Sequence, residues 1–217
     1  MKTNTITNQR GTLFTTKQMV ILSLFAALSY VLQLIHLPYK HLGFLEFEFS
    51  DIPAVIASLQ YGPFAGILIE FIKNLIKAIT ASTTAWVGEA TNFLISCAFI
   101  LPVGFLYRMK RVKGSAVNRA GRSKVSEVIH LVFIFTVAVV SMALAGALIN
   151  YFIMVPLYAK IFGGMDSVIG FAASTVPAIK NLAGLVIIGI TPFNIVKGIT
   201  ISIIGYYTYR LLRGRLL

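Results

Sequence analysis

Ile52-Pro-Ala-Val-Ile-Ala-Ser-Leu-Gln-Tyr-Gly-Pro-Phe-Ala-Gly-Ile-Leu-Ile69 carries no charge and approaches the length of about 20 apolar residues that crosses a bilayer. Near its middle stands Tyr61-Gly-Pro63, and a Gly-Pro pair ends one helix and starts another. Whether this stretch is one helix or two sets the parity of the whole chain. Four further spans read directly from apolar length, over residues 18–37, 90–107, 128–158 and 181–209. Basic residues gather at three places: Lys2, Arg10 and Lys17 ahead of the first span; Arg108, Lys110, Arg111, Lys113, Arg119, Arg122 and Lys124 in the centre; Arg210, Arg213 and Arg215 at the end. All three clusters belong in the cytoplasm by the positive-inside rule, which requires an even number of spans between them. One helix over 52–69 would put the central cluster outside. A break at Gly62-Pro63 restores the parity and predicts an all-α membrane protein of six transmembrane helices with both termini cytoplasmic. It implies a short second helix, roughly residues 49–60, and a third that buries Glu70, Lys73 and Lys77 at the cost that charge incurs in a membrane.

Composition agrees with that class. Of 217 residues, 57% are hydrophobic and 12% charged, and the mean hydropathy is +0.84. A single integral membrane domain over residues 1–217 is expected, with a short cytoplasmic tail over 1–16. The apolar stretch after Lys17 runs on to Leu37 without a small-residue cleavage site, so it reads as a retained first span. Cys97 is alone, which excludes an intrachain disulfide and leaves a small buried hydrophobe. The net charge of +12 flanks the spans and suits anionic lipid headgroups, with no aromatic platform for nucleic acid. There is no G-x-x-x-x-G-K-[ST] for phosphate and no G-x-S-x-G for acyl transfer. His36, His41 and His130 lack paired ligand spacing, so no metal site is expected, and no enzymatic activity has positive support.

The informative residues are the polar ones stranded in apolar sequence. Lys197 lies inside the last span with no acidic residue from Ser167 onward. An ionisable group at that depth costs roughly 2.5–3.5 kcal/mol to insert, so it has a partner and a task. The assigned topology puts it in the outer half of the membrane, about one and a half turns after Pro192, with Asn150 late in the outward-running fifth helix. The loop over 38–50 is external. Ser50 is placed to cap the second helix with Asp51 at its positive N-terminal end, or Asp51 accepts a bond from a ligand or from Lys197. Asp51, Asn150 and Lys197 can therefore share one externally open cavity. Glu70, Lys73, Asn74 and Lys77, spaced by three and four, share one side of the third helix, where Glu70 pairs internally and Asn74 and Lys77 are second-rank ligand candidates. Asn92, in the outer half of the fourth helix, makes an interhelical hydrogen bond or a ligand contact. In the first helix Ser23 and Ala27 form a small-x-x-x-small pair that Ala26 widens, either a seam within the bundle or a docking face for another subunit.

Phe47-Glu-Phe-Ser-Asp-Ile-Pro53, Tyr61-Gly-Pro-Phe-Ala-Gly66, Lys73-Asn74, Asn92-Phe93, Asn150-Tyr-Phe with Pro156-Leu-Tyr158, and Pro192-Phe-Asn-Ile-Val-Lys-Gly198 recur in a specific order and spacing. In that order the chain, over residues 16–210, resembles the riboflavin-binding S components (RibU) of energy-coupling factor (ECF) transporters. The resemblance implies a six-helix protein of the bacterial plasma membrane that captures riboflavin from outside. It further implies docking on a module of one transmembrane coupling protein and two ATPases, an ECF-type ABC transporter in which this chain is the substrate-binding part. By motif, flavin contacts carry over to Asn150 and Lys197, with the segment from Glu48 to Asp51 nearby. Docking in the family uses Ala-x-x-x-Ala on the first helix, whose first position here is Ser23. Riboflavin is then a transported substrate, not a cofactor.

The chemistry of riboflavin suits these residues. Its ring has a broad apolar face, and its pyrimidine edge presents carbonyl acceptors and an N–H donor. Lys197 can donate to an acceptor and the Asn150 amide can do both, while Asp51, Glu48 or Asn74 can meet the ribityl hydroxyls. The competing readings are a stand-alone proton-coupled secondary transporter of a small neutral metabolite, with Glu70 or Lys73 as its proton site, and a membrane enzyme acting on lipid.

Overall fold

In the computed structural model, residues 13–42, 45–116 and 124–213 are described. Helix α1 (Thr16–Leu34) opens with a capping box in which Gln18 N donates to Thr15 Oγ1 at 3.3 Å and Thr15 N donates to Gln18 Oε1 at 2.9 Å. Leu22, Ala26, Ser29 and Gln33 recur on one side of it and are buried.

The segment that follows adds a short hairpin to the helices, in a stretch expected to be loop. Strands β1 (His36–His41) and β2 (Leu45–Glu48) pair antiparallel, with His36 opposite Glu48, Lys40 opposite Glu46 and His41 opposite Leu45. Leu45-Glu-Phe-Glu48 alternates apolar and acidic residues, a period of two inside what reads as loop. The register shifts between His36 and Lys40, the interval that contains Pro38, whose missing N–H cannot join a ladder.

Helix α2 (Ile52–Tyr61) and helix α3 (Pro63–Thr80) are separated at Gly62, where φ is 101°. That left-handed-side backbone is open to glycine, and Pro63 then opens α3 with its φ already set. The break falls where the sequence puts it. Every residue from Pro53 to Leu59 is buried, so α2 is a central post touched by α1, α3, α4 (Val87–Ala116) and α9 (Thr191–Leu212). A helix apolar on all sides needs such company. Close approach follows from missing side chains: a Cβ at Gly66 would lie 2.7 Å from the Ala54 carbonyl oxygen, and one at Gly104 would lie 2.7 Å from the Pro63 nitrogen.

The fifth and last rods are each interrupted by a wide turn. Helix α5 (Lys124–Ile149) passes through a π-helical turn, Asn150–Met154, into α6 (Val155–Ile161). Helix α7 (Met165–Thr175), which the span reading omits, follows Gly163 and Gly164 at φ 87° and 101°. Helix α8 (Leu182–Gly184) leads through a second π-helical turn, Leu185–Ile190, into α9.

Among the described residues, four stretches are long and apolar enough to cross a membrane: Thr16–Leu34, Val87–Met109, Val125–Ile161 and Leu182–Leu212. Leu24, Phe133 and Ile203 are among the large apolar side chains on the outside, as lipid-facing residues should be. The chain is a helical membrane protein. One apolar cluster surrounds α2, and another joins Leu42 at the tip of the hairpin to Val155, Ala172, Leu185 and Ile190. Lys2, Arg10, Arg119, Arg122 and Arg215, which bear on the orientation, lie outside the described residues.

Candidate functional site

Lys197 is 4% exposed, and its charge is met by groups more than a hundred positions earlier in the chain. Its ammonium lies 3.0 Å from Asp51 Oδ2 and 3.6 Å from Glu48 Oε1, and donates to Asn92 Oδ1 at 3.3 Å. The hairpin delivers Glu48 at the end of β2, the turn into α2 delivers Asp51, and α4 delivers Asn92.

A second ammonium lies deeper. Lys73 is wholly buried and pairs with Asp51 Oδ1 and, at 2.8 Å, with Glu70 Oε2; it also donates to Ser50 Oγ at 2.7 Å. Asp51 Oδ1 additionally accepts from Ser96 Oγ at 3.2 Å. Asp51 thus bridges the two lysines. This corrects the expected cap: Asp51 occupies the N-cap position of α2 but makes no side-chain cap bond, and the Ser50 hydroxyl accepts from Lys73. Two buried ammonium groups attract the carboxylate more strongly than neutral backbone N–H groups do. The alternative partner considered for Asp51, Lys197, is the one found.

Amides tie this ion cluster to α1. Asn92 Nδ2 donates to Glu48 Oε1 at 3.1 Å and to Asn74 Oδ1 at 3.2 Å, while Gln33 Nε2 donates to the same Asn74 oxygen at 3.0 Å. Asn74 Nδ2 donates to the Glu70 carbonyl at 2.8 Å, and Ser29 Oγ to the Ser50 carbonyl at 2.8 Å. The interhelical bond of Asn92 and the internal pairing of Glu70 are therefore both present. Lys77, half-buried, lies 3.7 Å from Glu46 Oε2, apart from the cluster.

Asn150 is buried at the first residue of its π turn and donates to the Gly146 carbonyl at 2.8 Å, within its own rod. No hydrogen bond joins it to the Lys197 cluster among the described residues. Asn194, which sequence reasoning passes over, is buried, donates to the Ile190 carbonyl at 3.1 Å, and packs where a Cβ on Gly146 would lie 2.6 Å from its Nδ2. Its spacing of three from Lys197 on α9 was the available signal. Ala26 is corrected: it is 2% exposed and packs in the core, whereas Ser23 and Ala27 are exposed on α1. It lies about 100° round the helix from Ala27, which is enough to carry it into the core.

Aromatic rings join the hairpin to α9. The His41 ring stacks on Phe193 with centroids 5.7 Å apart and 11° between planes, and Phe47 meets Phe193 edge-on at 6.0 Å. The hairpin is thereby seated against α9, one turn from Lys197. Several buried atoms of the cluster and hairpin lack a hydrogen bond: Glu48 Oε2, Glu70 Oε1, Gln33 Oε1 and His41 Nε2. Unsatisfied buried acceptors are costly, so a donor-bearing ligand has groups to meet. The arrangement offers acceptors from Glu48 and Asp51 beside a lysine donor, chemistry for binding rather than bond-making.

Residues 17–209 match the family model of the ECF transporter substrate-specific component. The chain is 32% identical to the riboflavin transporter FmnP of Bacillus subtilis, covering 87% of each chain. It is 32% identical to the riboflavin transporter RibU of Staphylococcus aureus, covering 89% of each. Among solved structures it resembles the S component of a bacterial ECF transporter, with a TM-score of 0.61 and 28% identity over 92% of this chain and 97% of that one.

Proposed function

The chain belongs to the family of ECF transporter substrate-specific components, and we propose from this that it captures riboflavin at the outer face of the bacterial plasma membrane. The observation that carries the reading is the buried Lys197 cluster, which sets a cationic donor beside Glu48, whose Oε2 is unpaired, one turn along α9 from the ring of Phe193. The pyrimidine edge of a flavin has the reciprocal pattern, carbonyl acceptors flanking an N–H donor. Lys197 donates to a carbonyl, Glu48 accepts from the N–H, and Asn74, Asn92 and Asn150 serve the remaining polar groups. Since riboflavin is uncharged, Lys197 acts through a directed hydrogen bond.

In this reading α1, α2, α3, α4, the rod from α5 to α6 and the rod from α8 to α9 are six spans, with both termini cytoplasmic and the hairpin outside. The chain performs no chemistry. Uptake is driven by two ATPases through a transmembrane coupling protein, which docks against Ser23 and Ala27 on α1.

Purification in detergent followed by a visible absorption spectrum tests the ligand. A flavin spectrum, or saturable quenching of added riboflavin fluorescence, is expected; a colourless protein that quenches none would overturn the reading. Uptake by this chain alone that collapses with the proton gradient would favour a secondary transporter instead.

A further inference from the structure

The two lysines of the cluster are not equivalently provided with counter-charge. Lys73 has Glu70 Oε2 at 2.8 Å and the Ser50 hydroxyl at 2.7 Å in addition to Asp51. Among the described residues, Lys197 has only Glu48 besides Asp51, and Glu48 stands at 3.6 Å against 3.0 Å for Asp51. Removing Asp51 would leave Lys73 still ion-paired but would leave Lys197 with its more distant carboxylate. The shared aspartate therefore matters more to the outer lysine than to the inner one.

Its own geometry is fixed from the interior. Oδ1 is held by Lys73 and by Ser96 Oγ at 3.2 Å, and Lys73, wholly buried and tied at three points, cannot swing away. Only Oδ2 faces Lys197. A lysine side chain is a compact charge on a flexible stem of four carbons, and left alone it would spread over many rotamers. A directed hydrogen bond to a neutral ligand needs that freedom removed beforehand, since ordering on binding lowers affinity. Asp51 and Asn92 engage two of the three ammonium donors and leave the third for a ligand.

We propose that Asp51 is a positioning residue, locked by Lys73 and Ser96, that aims the Lys197 ammonium at the flavin rather than bonding the flavin itself. This rests on riboflavin being the ligand. Glu48, whose Oε2 is unpaired, remains the carboxylate that faces the ligand.

A double-mutant cycle on the full-length protein in detergent tests it, with riboflavin affinity read by fluorescence quenching. Asp51→Asn should weaken binding about tenfold and Lys197→Met about tenfold to a hundredfold. The double variant should bind no more weakly than Lys197→Met alone, because Asp51 acts through the lysine. In infrared difference spectra, Asp51→Asn should move the carbonyl stretch of bound flavin in the same direction as Lys197→Met. Should Asp51→Asn alone fail to fold, the cycle is run with Ser96→Ala in its place, which frees one hold on Asp51 Oδ1 and leaves every charge of the cluster in place. Losses that multiply, or an unmoved carbonyl band, would overturn the positioning role in a chain that binds riboflavin. A wild-type chain that bound none would instead overturn the ligand assignment.

Discussion

Lys197 Nζ donates to the side-chain oxygen of Asn92 across 3.3 Å, although the two residues stand 105 positions apart. Asn92 also donates to Glu48 and Asn74, so one amide joins α9, α4, α3 and the hairpin at a single point. Lys197 is thus connected through one amide to three elements besides its own.

Lys197→Met conserves length and removes the donor. Riboflavin affinity should fall about tenfold to a hundredfold, the equivalent of about 1–3 kcal/mol for a buried hydrogen bond, while the protein still inserts and elutes as a monodisperse species. Equal affinity in a fluorescence titration would remove Lys197 from the site.

Lys73→Met should cost stability more than any single change at the rim. It leaves Asp51 and Glu70 buried beside each other with one ammonium fewer, and breaking a buried ion pair costs about 3–5 kcal/mol. Lys77→Met removes a half-buried pair at 3.7 Å and should cost about 0–1 kcal/mol. Thermal unfolding in detergent should rank the two variants in that order, and equal midpoints would contradict it.

Gly104→Ala tests the central post. The added methyl would lie 2.7 Å from the Pro63 nitrogen and crowd the Ser58 hydroxyl, so α4 must move away from the α2–α3 junction. Overpacking of this kind costs about 1–3 kcal/mol. A lowered unfolding midpoint is expected, and an unchanged one would mean that the junction yields freely.

Ser23→Trp and Ala27→Trp separate capture from transport. Both positions are exposed on α1, while the side chains that α1 sends into the polar cluster are Ser29 and Gln33. Riboflavin titration of the isolated chain should be unaltered, and pull-down of the coupling module and ATP-dependent uptake should both fall. Retained docking with lost flavin binding would assign these residues to packing.

The features legible from the sequence are those governed by nearest neighbours or by depth. Gly62-Pro63 breaks the helix because of local backbone chemistry, and the spacing of Glu70 and Lys73 is enough to pair them. Lys197 had to find its acid far away because none follows Ser167, but which acid was a question of tertiary placement. Asp51 looked like a cap because its sequence neighbours are helix-starting residues; the lysines that claim it come from α3 and α9. The hairpin was hidden by its shortness and by Pro38. Ala26 was misplaced by treating adjacent residues as sharing a face.

The two π-helical turns, Asn150–Met154 and Leu185–Ile190, have a consequence for how such a chain tolerates change in length. Each amounts to one residue more than a regular helix would hold over the same rise. Deleting a residue from Leu185–Ile190 would close the wide turn into regular winding and keep Lys197 on its face. A deletion between Thr191 and Lys197, where no residue is spare, would turn the ammonium by about 100° relative to the chain before it. The ammonium would then leave Asp51 and Asn92 for lipid or for a neighbouring helix. A gap of one residue, harmless in most loops, would there disconnect the ligand site from Lys197, so sequences sharing this site should keep the same count between Thr191 and Lys197 and can differ by one within the wide turn before it.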